Sequence, residues 1–263
     1  MSDSNELDPW HNLKQFTPAR IALGRAGMSL PTRACLEFQL AHALARDAVN
    51  IPLDFAGLEK RLNLQGYQTL SLQTQAENQS LYLQRPDLGR LLSASATACL
   101  QHTALLRFDA VVVVADGLSS TAIEHHAEPF LNLLLPELQQ KGYRLPPLCL
   151  VKHGRVAIGD AIAEHYAASL CIVLIGERPG LSSPDSMGIY FTYQARSAIS
   201  TDADRNCISN IHNNGLSYRQ ALKKLLFLID ASEKLELSGV NLKDETTDAE
   251  SNNQLTQANF LLD

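Results

Sequence analysis

A polar loop rich in groups that could contact a ligand follows the apolar run 170–175. The run predicts a buried strand, and one glycine separates it from Glu177, Arg178 and Pro179 in the stretch 174–188, LIGERPGLSSPDSMG. Open α/β sheets bind ligands in loops of this kind, at the carboxyl ends of their strands. A carboxylate and a guanidinium supply directed polar groups, and proline restricts the backbone. The stretch predicts either a ligand-binding loop or a purely structural junction.

Two adjacent histidines, His125 and His126, lie in the sequence EHHAE, within a stretch predicted to be helical. Neighbouring residues on a helix point in different directions, and the spacing is not the H-E-x-x-H of a zinc protease. The pattern therefore predicts that the two rings do not share a metal ion and that they lie on a solvated helix face.

Two further polar residues, Asp116 and His153, lie at the ends of predicted strands. Asp116 is as suited to a site as to capping the next helix. His153, in KHGRVAIGD, suits a ligand or subunit contact, or an ordinary surface position. The sequence leaves both pairs of alternatives open.

Familiar catalytic and nucleotide-binding motifs are missing from the sequence. DGLSS stands where a dinucleotide-binding sheet would carry G-x-G-x-x-G, and no Walker A motif occurs. Ser182 and Ser183 lie outside any G-x-S-x-G elbow and have no histidine–acid order nearby. We therefore expect neither dinucleotide nor ATP binding in the usual way, and no catalytic triad.

Three positions remain at the ends of predicted strands or in the loops that follow them. Val156 precedes a predicted helix, Glu177 follows a strand, and Cys207 lies in the polar run DADRNCISN, which predicts a loop. Doubly wound sheets gather such loops onto one rim. We therefore expect Val156, Glu177 and Cys207 to lie on the same rim.

Strands and helices alternate along much of the chain. The hydrophobic periodicity predicts strands at 67–72, 109–115, 147–151, 170–175 and 188–193, and helices at 32–49, 55–62, 85–100, 119–140, 157–168 and 217–235. Pro129 and Pro136 are expected to break or kink the helix 119–140. The uninterrupted valines of 109–115 predict a strand covered on both faces.

This order of elements predicts an α/β fold. We expect a Rossmann-like, doubly wound and mostly parallel sheet over 106–242, preceded by a mainly helical N-terminal domain over 17–105. Residues 1–16 are expected to form an arm, and the polar, unpatterned residues 243–263 a disordered tail.

The composition indicates a soluble globular protein of the cytoplasm. Hydrophobic residues make up 45% of the 263 residues and charged residues 19%, with a net charge of −6. An acidic chain without a basic run argues against nucleic acid as a partner, and no apolar stretch is long enough for a membrane span. We expect no secretory signal and, with five widely spaced cysteines, no disulfide framework.

Six motifs in order carry a resemblance to a known family over about 17–244. TPARIALGRAG, LYLQRPDLGR, DGLSSTAI, GRVAIGDAIAE, GERPGLSSPDS and DADRNCISNIHNNG resemble the small subunit of ethanolamine ammonia-lyase. The resemblance implies adenosylcobalamin as the cofactor, with contacts at Val156, Glu177 and Cys207 and with no catalytic or metal-ligating residue in this chain. Because D-x-H-x-x-G is absent, the cobalamin is expected to keep its own base on cobalt.

The resemblance also implies a partner and a reaction. The family's large subunit is a TIM barrel that holds ethanolamine, and the enzyme deaminates it to acetaldehyde and ammonia by a radical mechanism. The assembly implied is a hetero-dodecamer with six copies of each chain, in the cytoplasm or within a bacterial microcompartment. Two alternatives stay open: a stand-alone hydrolase using Ser182 or Ser183, and a non-catalytic regulatory or scaffolding protein that binds a small ligand.

Overall fold

A six-stranded sheet forms the centre of the computed structural model, which describes residues 10–17, 19–103 and 107–246. Within these residues the strands are β1 (Thr69–Gln73), β2 (Ala110–Ala115), β3 (Leu148–Lys152), β4 (Leu170–Gly176), β5 (Met187–Tyr193) and β6 (Arg205–Ile211). The α-helices are α1 (Thr32–Asn50), α2 (Phe55–Leu64), α3 (Gln79–Gln84), α4 (Ala94–Gln101), α5 (Ser120–Gln140), α6 (Ile158–His165) and α7 (Tyr218–Leu235). The α/β class is therefore confirmed.

The sheet is mixed, which corrects the prediction of a mostly parallel one. Its order is β1-β3-β2-β4-β5-β6, and the first four of these strands are parallel. Strands β5 and β6 run antiparallel to their neighbours. The physical reason is the connection from Gly176 to Met187, which contains no helix. A parallel strand needs a long crossover, whereas a short loop returns the chain as an antiparallel neighbour.

Both faces of the sheet are buried, as the valines of β2 predicted. Val112 and Val114 belong to one apolar cluster with residues of α2, α5 and α7. Val111 and Val113 belong to a second cluster with residues of α4 and α6. Because successive side chains of a strand point to opposite faces, an unbroken apolar strand serves two cores at once.

Helix α5 continues past both of its prolines, so the predicted break does not occur. Pro129 and Pro136 lie inside the helix, although each removes a backbone N–H. Its buried face, which includes Phe130, Leu134 and Leu138, packs into the first apolar cluster. Burial of such side chains stabilises a helix by about 1.5–3 kcal/mol each, which offsets the cost of proline. The helix begins at a side-chain cap, in which Ser119 Oγ accepts from the Ala122 N–H at 3.2 Å.

Two other local predictions were wrong. The polar segment that contains Cys207 forms β6 instead of a loop, because it is an edge strand whose outer residues stay exposed. The helix expected from 85 begins at Ala94 instead, with Ser93 as its N-cap. Pro86 disfavours helical backbone at the residue before it, and Arg85 is accordingly not helical, with φ −127° and ψ 74°.

Strand β1 belongs to the segment 17–105 and yet pairs with β3 along its whole length. The separate N-terminal domain stays a prediction, as does the disordered tail. Of that tail, Asp244 accepts from Lys224 Nζ at 2.7 Å, and 247–263 lie outside the described residues, as does the start of the predicted arm. No described helix is long and apolar enough to span a membrane.

Candidate functional site

Three loops meet at the carboxyl ends of the parallel strands. The Leu118 N–H, after β2, donates to the carbonyl of Gly176 at the end of β4, at 3.0 Å. A Cβ at Gly176 would lie 2.1 Å from the Ser119 carbonyl oxygen. Gly117 has φ +63° and equally little room. Only glycine allows these two loops to approach so closely. This explains Gly117 in the loop after β2 and Gly176 at the end of β4.

Asp116 holds the loop after β3 and does not cap a helix. It is buried, and its carboxylate accepts from the N–H groups of Gly117 at 3.0 Å, His153 at 2.9 Å and Gly154 at 3.1 Å. Burial raises the pKa of Asp116, and these N–H groups act in the opposite direction. Asp116 therefore holds the loop between β3 and α6 in place.

His153 is a buried structural residue, which excludes the surface position considered from the sequence. It has φ +57°, and its Nδ1 lies 2.8 Å from the carbonyl oxygen of Ala76. Its ring stacks on Tyr82 with centroids 5.8 Å apart. These contacts make His153 part of the support of the loop, and its contact with a ligand or subunit stays a prediction.

A pocket of about 440 Å³ opens where the three loops meet. Val156 and Glu177 line it together, as the sequence predicted for two of its three site residues. The full lining consists of residues from α3, the β2, β3 and β4 loops and β5: Tyr82, Gly117, Leu118, Arg155, Val156, Ile175, Gly176, Glu177, Arg178 and Tyr190.

Glu177 is held by the ends of its own loop and by β6. Ser186 Oγ donates to Glu177 Oε2 at 2.5 Å, and the Asn210 N–H donates to the same oxygen at 3.2 Å. The Glu177 N–H in turn donates to the Ser186 carbonyl at 2.9 Å. Oε2 accepts both hydrogen bonds to the side chain. They orient the carboxylate and do not involve Oε1.

Cys207 lies on β6 instead of in a loop, but close to the other two. It is the strand partner of Tyr190, which lines the pocket, and it is exposed. Although the residue is exposed, neighbouring atoms partly desolvate its sulfur and raise the pKa of the Cys207 thiol. Tyr190 opposes this shift, and the Glu177 charge adds to it. The thiol is therefore protonated at neutral pH. Burial, and then Cys207 itself, raise the pKa of Tyr190.

The wall opposite Glu177 offers unused hydrogen-bond donors. Within the described part of the chain, the Val156 N–H, just before α6, has no acceptor. Nε of Arg155 is buried and has no partner there either. The Arg155 guanidinium lies 4.3 Å from the centroid of the Tyr82 ring, a cation–π contact that fixes its position.

Sequence reasoning missed Tyr82, Arg155 and Tyr190 as pocket residues. Tyr82 and Arg155 belong to motifs used for the resemblance, LYLQRPDLGR and GRVAIGDAIAE, but nothing in their spacing joins them. Tyr190 alternates with apolar residues in GIYFTY, and its place opposite Cys207 follows from strand pairing that a sequence does not display.

The burial of His126 contradicts the solvated helix face predicted for the two adjacent histidines, whereas His125 is exposed as predicted. His126 is buried, and both rings lie against Asp185, with His125 Nδ1 at 3.3 Å and His126 Nε2 at 3.4 Å from its Oδ2. Their ligand atoms and that of Asp185 all lie within 4.8 Å of one another. Neighbouring residues of a helix point in different directions, but Asp185, from the loop after β4, lies against both rings.

The two candidate serines have no catalytic partners in the described residues. Ser182 is exposed, and the Ser183 carbonyl accepts from the Gly180 N–H at 3.1 Å. Neither hydroxyl has a hydrogen bond to a histidine there, which gives a stand-alone hydrolase no support.

A model of the ethanolamine ammonia-lyase light chain family matches residues 7–243. The chain belongs to this family. It is similar to the ethanolamine ammonia-lyase small subunit of Pseudomonas fluorescens, with 49% identity over 97% of this chain and 95% of the relative. It is also similar to the small subunits of Pseudomonas aeruginosa, with 50% identity over 93% and 90%, and of Pseudomonas syringae pv. tomato, with 47% over 97% and 92%.

Membership of the ethanolamine ammonia-lyase light chain family confirms the resemblance found in the motifs. The match covers all six motifs and all the strands of the sheet. The chain is therefore a light chain of a lyase, and a light chain implies a large-subunit partner.

Proposed function

We propose that this chain is the cobalamin-binding small subunit of an enzyme that deaminates ethanolamine to acetaldehyde and ammonia. The observation that carries the proposal is the pocket at which Val156 and Glu177 meet, beside Cys207. A regulatory or scaffolding role without turnover has no observation of its own in its favour.

The pocket residues fit the chemistry of a cobalamin edge. A corrin carries neutral amide side chains, and each amide needs both acceptors and donors. Glu177 supplies a fixed carboxylate acceptor, while the Val156 N–H and Arg155 Nε are donors without partners in the described residues. Arg155 Nε is buried, and a buried polar group left unpaired is costly, so a ligand that pairs with it is favoured.

The size of the pocket indicates how much of the cofactor this chain holds. A volume of about 440 Å³ suits one drug-sized group, and therefore one edge of the corrin. The remainder of the cofactor and the ethanolamine belong to the large subunit, which we propose to be a TIM barrel. When bound, adenosylcobalamin supplies the radical chemistry of the deamination.

This chain's own part is to bind and orient. Asp116 and the paired glycines of the β2 and β4 loops fix the wall of the pocket, and Glu177 is oriented by Ser186 and Asn210. A prearranged set of donors and acceptors lowers the entropic cost of binding. We further propose base-on cobalamin, a Rossmann-like relation of the sheet, six copies of each chain, and a place in the cytoplasm or a microcompartment.

The test combines the purified chain, its large subunit and adenosylcobalamin, and measures acetaldehyde formed from ethanolamine. Activity is expected only when both chains are present, because the described part of this chain holds no constellation that could process ethanolamine unaided. A titration of cobalamin against each chain and against the pair should give tight binding for the pair alone. Full activity from either chain by itself would overturn the proposal.

A further inference from the structure

Helix α5 and the loop between β4 and β5 bring three potential metal ligands together, away from the residues that line the pocket. His125 and His126 lie in the second turn of the helix, and Asp185 lies near the end of the loop. Their ligand atoms all lie within 4.8 Å of one another. Two imidazoles and one carboxylate form a ligand set typical of zinc sites that keep a fourth position for water.

The distances fit a shared metal ion, and the one between His125 Nδ1 and Asp185 Oδ2 also meets the criteria of a hydrogen bond. Asp185 Oδ2 lies 3.3 Å from His125 Nδ1 and 3.4 Å from His126 Nε2, whereas N–H···O bonds centre near about 2.9 Å. Tetrahedral bonds of about 2.0–2.1 Å to a zinc ion separate neighbouring ligand atoms by about 3.3–3.4 Å. Two of the three ligand separations therefore already have the length of a tetrahedral edge.

A second observation, at His126, also indicates that a ligand is bound here. Its side chain is 2% exposed, and its Nε2 is buried without a hydrogen-bond partner in the described residues. Its other nitrogen, Nδ1, lies 2.7 Å from the Tyr218 hydroxyl of α7. Metal-bound histidines are usually oriented by such a partner on the second nitrogen, which leaves Nε2 directed at Asp185.

We propose that His125, His126 and Asp185 bind one divalent transition-metal ion of the zinc type. Such an ion joins α5 to the loop that begins at Glu177 and ends at Ser186. Its expected effect is to restrain this loop, because a metal ion bound by both elements adds bonds between them. The site is separate from cobalamin binding, and its test needs neither cobalamin nor the large subunit.

The experiment measures Zn²⁺ binding to the purified full chain after treatment with EDTA, by competition with a chromophoric chelator. His125→Ala is the main variant, since the His125 side chain is 59% exposed and its removal leaves the core intact. Asp185→Asn is the second, and His102→Ala, an exposed histidine elsewhere, is the matched control. Circular dichroism checks that every variant is folded.

The expected result is one Zn²⁺ per wild-type chain, with binding weakened at least about tenfold in both site variants and unchanged in His102→Ala. Co²⁺ should give the visible absorption of a tetrahedral site in the wild type alone. Absence of saturable binding overturns the proposal. Equal binding by His125→Ala and His102→Ala also overturns it, because the ion would then lie elsewhere.

Discussion

Asp160 of α6 and Arg205 of β6 form a bidentate ion pair, with both N–O distances at 2.7 Å and side chains that are 4% and 3% exposed. The pair joins the helix that follows Val156 to the strand that carries Cys207. Two of the proposed cobalamin contacts are therefore positioned by one buried interaction.

Replacement of Arg205 by methionine should destabilise the fold by about 3–5 kcal/mol, because it leaves the Asp160 carboxylate buried without its partner. Urea denaturation measures the change. The matched control is Arg33→Ala, which removes the exposed pair with Glu37, 90% and 60% exposed, and should cost at most about 1 kcal/mol. If the two substitutions lowered the free energy of unfolding equally, burial would not explain the contribution of the pair between Asp160 and Arg205.

Glu177→Ala should weaken adenosylcobalamin binding to the assembled enzyme by roughly ten- to a hundredfold. A charge-assisted hydrogen bond from a cobalamin amide is worth about 1.5–3 kcal/mol. Glu177→Gln keeps an acceptor without the charge and should give an intermediate dissociation constant. Both are measured by titration of the complex with the cofactor.

Ser186→Ala is the control for this experiment, since it removes the hydrogen bond to Glu177 Oε2 but leaves the carboxylate. We expect it to weaken cobalamin binding only slightly. If it weakens binding as much as Glu177→Ala does, Glu177 acts by closing its loop and not as a cofactor ligand.

Cys207→Ser should retain most of the activity of the assembled enzyme, with a modest loss of cofactor affinity. The raised pKa of the Cys207 thiol disfavours the thiolate, which is the form that acts as a nucleophile. Steady-state rates at saturating cobalamin measure the effect. Complete inactivation with unchanged cofactor affinity would show a chemical role for the sulfur.

Asp109 should contribute to acid sensitivity. Hydrogen bonds from the Arg144 side chain and N–H lower its pKa below the ordinary 3.8, although burial opposes this, and Arg107 adds to the lowering. A lowered pKa stabilises the fold above the unfolded value, and this contribution disappears as the pH falls through the folded value.

The variant Asp109→Asn should therefore be less stable than the wild type near pH 6, and the difference should shrink as the pH falls below about 3.8. Urea denaturation of both proteins at each pH measures it. Because other carboxylates titrate in both proteins alike, only the difference between the two curves is informative. A difference that stays constant with pH would contradict the assignment.

Local patterns predicted much of the fold. The valines of β2 indicated a strand buried on two faces, and the helical pattern over 119–140 indicated α5. The break considered at Pro129 and Pro136 does not occur, because packing of α5 against the sheet outweighs the local cost of proline. The polar edge strand β6 lacked the apolar alternation by which strands are recognised.

The neighbours across the site could not be read from local patterns. The antiparallel direction of β5 could be, because the segment between β4 and β5 has no helical pattern and is too short for a parallel crossover. The candidate site residues Val156 and Glu177 could be placed on one rim because strand ends gather at one edge. Tyr190 and the cluster with Asp185 depend on contacts between distant segments, which one sequence does not record.

The loop between β4 and β5 is closed at its base, because Glu177 and Ser186 bond to each other through both backbone and side chain. The length of the loop can consequently change without a change in the positions of the strands. Closing a loop of twice the length costs only about 0.6 kcal/mol in entropy, so insertions between these two residues leave the strands in register. A longer loop is therefore expected to display a larger surface while the frame beneath it is unchanged.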